Sequence, residues 1–73
     1  MIYPVTSDIY YKKGAQSASL ILNNSNLTDI VNTIRRSIRE VINSDCAENR
    51  LFFEGMYDES VRIFTEYMFG GKL

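Results

Sequence analysis

Three arginines lie within five residues of one another, at Arg35, Arg36 and Arg39. A guanidinium is a planar fork of N–H donors that matches the oxygens of carboxylates and phosphates. At ~100° per residue the three share one helical flank with Thr28, Asn32 and Asn43, from ~80° to ~180° off the helix's apolar axis. Such a flank can hold a partner's carboxylates or a phosphate backbone. It can equally be a solvated surface carrying an Arg36–Glu40 pair at i,i+4.

Other chemistry is scarce. The chain has no histidine, so the commonest general base and the commonest metal ligand are missing. Cys46 is the only cysteine. It has no partner for an intrachain disulfide and no histidine to activate it as a nucleophile. A position near a helix start lowers a thiol pKa, but the ordinary role of such a residue is a small buried side chain, here beneath the following helix. Asp58 and Glu59 are neighbours in sequence and point in different directions on a helix, so they do not form a carboxylate dyad. Gly70-Gly71 is too isolated to cradle a phosphate. The expectation is a protein that is not an enzyme, with no cofactor and no metal.

The elements that position these residues begin with NLTDIVNTIRRSIREVIN, Asn26 to Asn43. Leu27, Ile30, Val31, Ile34, Ile38, Val41 and Ile42 recur at steps of three, four and one, within an arc of roughly 120°. A helix over about 27–43 follows, with Asn26 as N-cap and Asp29 in its first turn. Ile34 and Ile38 lie near the centre of the arc and are expected at the heart of the core.

Before it, Tyr3, Val5, Ser7, Ile9 and Tyr11 alternate with Pro4, Thr6, Asp8, Tyr10 and Lys12. Ala18, Leu20 and Leu22 alternate with Ser17, Ser19 and Ile21. A period of two with β-branched and aromatic residues predicts strands, and Gly14 between them predicts a turn. The pair is read as an antiparallel hairpin over about 3–23, with Ile9 and Tyr11 on the same face as Ala18, Leu20 and Leu22 and that face covered by the helix over 27–43.

After the central helix, Asp45 and Glu48 have capping-box spacing. Residues of about 46–69 are helical in pattern, and Gly55 and Asp58 suggest two helices or one bent at Gly55 to Tyr57. Gly70-Gly71 ends the last helix. The resulting expectation is an α+β fold: a small single domain, residues 1–73, with an N-terminal hairpin packed on two or three helices, ββαα or ββααα.

Composition bounds the function. The 73 residues are 45% hydrophobic and 12% aromatic, which suits a small compact core. Net charge is −1, so there is no bulk attraction to nucleic acid or anionic lipid. Met1 to Asn43 holds five basic and three acidic residues, and Ser44 to Leu73 three basic and six acidic, so the halves are +2 and −3. That asymmetry suits a binding module. The opening MIYPVTSDIYYKK lacks a basic stretch followed by an apolar one, and no run spans a bilayer, so a cytoplasmic protein is expected.

In the last third Phe52, Phe53, Met56, Tyr57, Val61, Ile63, Phe64, Tyr67 and Met68 cover about half a helical cylinder, more than one face needs. The surplus, Phe52, Met56, Ile63 and Tyr67, is expected to touch a second chain, either another copy or a foreign target. The functional expectation is a small non-enzymatic protein-binding module using those residues and Arg35, Arg36 and Arg39. The bulk profile is that of a very short acidic chain rich in Asn, Ile and Tyr, without catalytic groups. It is similar to that of small phage-encoded proteins that block host or defence machinery, including anti-CRISPR proteins, and implies an inhibitor in the host cytoplasm. Two other classes fit the same residues: a nucleic-acid or nucleotide binder or small transcriptional regulator using the arginines, and an oligomeric structural subunit.

Overall fold

The structure, a computed structural model, describes residues 5–70, with side chains from Ile9 onward. Its elements are α1 (Val5–Ile21), α2 (Leu27–Asn43) and α3 (Ala47–Phe69). Among the described residues there is no strand, so the described fold, residues 5–70, is all-helical and the α+β expectation is corrected. Tyr3, Pro4 and Gly71 lie outside the described residues. The helix α3 packs extensively on both α1 and α2, whereas α1 and α2 scarcely touch each other. The centre of the fold is therefore α3, not α2.

The hairpin reading fails for a specific reason. It placed Ile9, Tyr11, Ala18, Leu20 and Leu22 on one buried face. In the structure Ala18 and Leu22 are buried, but Leu20 is 79% exposed and Ile9 43% exposed. The face that packs is Tyr11, Gly14, Ala18 and Leu22, at helical steps of three and four. Its middle is made of Gly14 and Ala18, which carry almost no hydrophobic signal.

Those small residues let two backbones meet. A Cβ on Gly14 would overlap the Phe52 carbonyl oxygen and come within 3.1 Å of the Met56 amide nitrogen. Reciprocally, a Cβ on Gly55 would overlap the Tyr11 carbonyl oxygen and lie 3.1 Å from the Ala15 amide nitrogen. Glycine Cα hydrogens opposite carbonyl oxygens are a recurrent contact at such close helix crossings. Gly14 is thus a packing residue inside a helix and not a turn. The same explanation removes the expected break at Gly55: α3 is one helix of 23 residues. The ~1 kcal/mol that glycine costs a helix interior is set against a closer approach than any other residue permits.

Loops and ends follow ordinary capping chemistry. The chain leaves α1 through Asn24, whose φ of 64° is left-handed, a conformation asparagine tolerates. Ser25 Oγ donates to the Ile21 carbonyl at 3.0 Å. Asn26 caps α2, its Oδ1 accepting from the Asp29 N–H at 2.9 Å. The cap of α3 is Cys46, without a side-chain cap bond, so Asp45 does not form the expected capping box. Cys46 is exposed rather than buried. Arg50 instead closes this junction, donating from Nη2 to the Ser44 carbonyl at 3.0 Å. Gly70 ends α3 with φ 67°, its N–H donating to the Glu66 carbonyl.

Substituting either crossing glycine is expected to force the helices apart. Gly14→Ala or Gly55→Ala should cost about 3 kcal/mol or more, at the upper end of overpacking penalties because backbone blocks the new methyl. Urea unfolding followed by circular dichroism measures this. A second expectation separates buried from exposed isoleucines. Ile30, 1% exposed, should cost about 2–5 kcal/mol as Ile30→Ala, while Ile42→Ala, at 74% exposed, should cost less than about 1 kcal/mol.

Candidate functional site

The position of α2 on α3 defines the candidate site. Measured from Ile38 at ~100° per residue, Leu27, Val31, Ile34, Ile38 and Ile42 fall within ~40° on either side. If this stripe faced α3, it would be covered. The residues that are covered lie to one side: Ile30 is 1% exposed and Ser37 is fully buried, at ~80° and ~100° from Ile38. The helix is therefore rolled by roughly 70° away from the orientation its apolar arc alone would select.

The roll is possible because Ser37 is small and needs no outside partner. Its Oγ donates to the Thr33 carbonyl at 2.8 Å. Ser60 on α3 is equally buried and donates to the Met56 carbonyl at 2.7 Å. No buried side-chain nitrogen or oxygen among the described residues lacks a hydrogen-bond partner. Small, internally satisfied side chains let helices approach closely, and the larger isoleucines are left at the edge.

The uncovered edge forms an open groove of about 470 Å³ between α2 and α3, lined by Ile38, Val41, Ile42, Glu54, Tyr57 and Asp58. Ile38 is 42% exposed. The groove floor is apolar, and Glu54 and Asp58 give its α3 side a negative rim. On the opposite side of the stripe stand Arg35 and Arg39, both exposed, at ~60° and ~100° from Ile38.

Asp58 is held in place from a third element. The Tyr11 phenol on α1 donates to Asp58 Oδ2. This bond, then burial and then the charges of Asp58, Glu54 and Glu59 push the Tyr11 phenol from 10.0 up to about 12. Elsewhere the Glu48 carboxylate holds the Tyr10 phenol above its ordinary range. Arg62 is paired with Glu59 at 2.5 Å and with Glu66, and these carboxylates hold its guanidinium above its ordinary value. An Arg36–Glu40 pair is not among the ion pairs of the described residues.

The residues singled out in the sequence are not brought together as one surface. Arg35 and Arg39 border the apolar stripe. Arg36 lies apart, lining a recess with Ile21, Ser25, Asp29, Asn32 and Thr33. Met56 is buried, its amide against Gly14. Phe52 and Ile63 are half-buried, Phe52 stacking edge-on with Phe53 at 5.2 Å between centroids. Tyr67 is 52% exposed near the end of α3. Among the described residues no group of three or more His, Cys, Asp or Glu is placed to hold a metal ion. No described helix is long and apolar enough to cross a membrane. Helical periodicity does not group Ile38, Ile42, Glu54 and Tyr57 as a unit. Their association depends on the roll of α2, and the only sequence hint is Ser37 beside the apolar arc. Comparison with protein-family models, with curated proteins and with solved structures finds no match.

The Tyr11–Asp58 bond has a defined pH signature. A phenol whose folded pKa lies near 12, above 10.0 in the unfolded chain, stabilises the fold fully below pH 10. That contribution is lost as pH rises through about 12. Tyr11→Phe is expected to lower stability by about 1 kcal/mol at neutral pH and to flatten the alkaline decline. Urea midpoints of both proteins across that window test this.

Proposed function

We propose that this protein is a small non-enzymatic protein-binding module whose working surface is the α2–α3 groove with its two charged borders. The observation that carries the reading is the roll of α2, which leaves Ile38 and Ile42 exposed while Ser37 is buried. Exposing two isoleucines costs burial that a different orientation of the same helix would recover. A contiguous apolar surface rimmed by charges is the usual signature of a protein contact. The carboxylates of Glu54 and Asp58 share this face with Arg35 and Arg39, and they repel a phosphate backbone. This favours protein over nucleic acid as the occupant. The functional class that fits such a module is a small inhibitor of host or defence machinery, acting by protein contact rather than by chemistry.

A photo-crosslinking amino acid placed at Ile42 in cells tests the reading. Irradiation is expected to give a discrete protein adduct at position 42 and none at Gln16, on a different helix. Absence of any adduct at 42, or equal labelling from both positions, overturns it.

A further inference from the structure

We infer that the chain occupying the α2–α3 face is a second copy of this protein, paired with its α2 parallel to the first about a two-fold axis running along the apolar stripe. The inference rests on the reading of this face as a protein-binding surface and names its occupant.

The order of groups across the face selects this occupant. Arg39 and Arg35 form one border, Ile42 and Ile38 the middle, and Tyr57 with Glu54 and Asp58 the other border. A two-fold axis along the stripe exchanges the borders. The basic edge of each copy then lies against the acidic edge of the other, twice, by symmetry. A two-fold axis across the stripe would instead set arginine against arginine and carboxylate against carboxylate. Self-complementarity is what an isologous contact requires, and here charge selects the parallel arrangement. The stripe also has suitable spacing. Leu27, Val31, Ile34 and Ile38 follow one another at steps of four, three and four, the rhythm of a helix lying along another helix.

The size of the face sets the class of contact. A 17-residue helix is about 25 Å long, and two helix widths span about 20 Å. That gives on the order of 500 Å² per copy, below the ~800 Å² of a standard interface. A contact of this size belongs with the small, transient interfaces, so the dimer is expected to be reversible.

Sedimentation equilibrium of the full chain, from low micromolar to millimolar concentration, tests the inference. A monomer–dimer equilibrium is expected. Ile42→Asp should raise its dissociation constant about a hundredfold with the helical circular dichroism spectrum unchanged. Arg39→Glu alone and Glu54→Lys alone should each raise it about tenfold. The double variant carrying both changes should return to within about threefold of the original, because the reversed charges again face each other. A mixture of the two single variants should form a mixed dimer more readily than either forms alone. A monomer at every concentration overturns the inference, as does a dimer indifferent to these changes. If the monomer still forms an adduct with a different protein through position 42, the binding face stands and only its occupant is wrong. If it forms none, both readings fall.

Discussion

The fold depends on one steric allowance, the contact of backbone with backbone where Gly14 of α1 meets Gly55 of α3. Each glycine places its Cα where any other residue would put a methyl into a carbonyl oxygen of the opposite helix. Close approach multiplies weak contacts along both helices, which matters in a chain of 73 residues with little volume for a conventional core. The fully buried side chains reflect this. Ala18, Ile30, Ser37 and Ser60 are all nearly or wholly inaccessible, and only one of the four is a large hydrophobe.

A close α1–α3 crossing makes α3 the shared partner. With α1 seated on one side of α3, α2 takes a remaining side and scarcely meets α1. The core is then two helix–helix contacts side by side rather than a three-way packed centre. Such an arrangement covers each outer helix on one flank only. For α2 the covered flank is centred on Ile30 and Ser37, and Ile38, Val41 and Ile42 of its apolar arc face the groove beside Tyr57. The exposed isoleucines follow from how α3 divides its surface between two neighbours.

The charged groups around that groove are built from separate elements. Arg35 and Arg39 come from α2, Glu54 and Asp58 from α3, and Asp58 is anchored by Tyr11 from α1. The edge of the groove thus depends on all three helices being in place, so any partner that reads its charge pattern reads the assembled fold. Arg62 is already engaged by Glu59 and Glu66, a pairing along one helix face that contributes modestly at an exposed site.

The amino-acid sequence by itself determined α2. Seven apolar residues in one arc, an asparagine cap and an aspartate in the first turn are local features, and local hydrogen bonding and helical period realise them. It also determined the αL end of α3 at Gly70, where a glycine supplies a positive φ. It did not determine α1, because alternation of Ile9, Tyr11, Leu20 and Leu22 imitates a strand while the true packing residues, Gly14 and Ala18, have no bulk to register in a hydrophobic pattern. It did not determine the continuity of α3, because a glycine's propensity is a local penalty and its compensation is a contact with Tyr11, 44 positions earlier. Nor did it determine the roll of α2 that exposes Ile38 and Ile42 while burying Ser37. Periodicity gives the apolar direction of a helix, but which direction is covered is decided by the shape of the surface it meets, and that surface exists only once α1 and α3 have closed on each other.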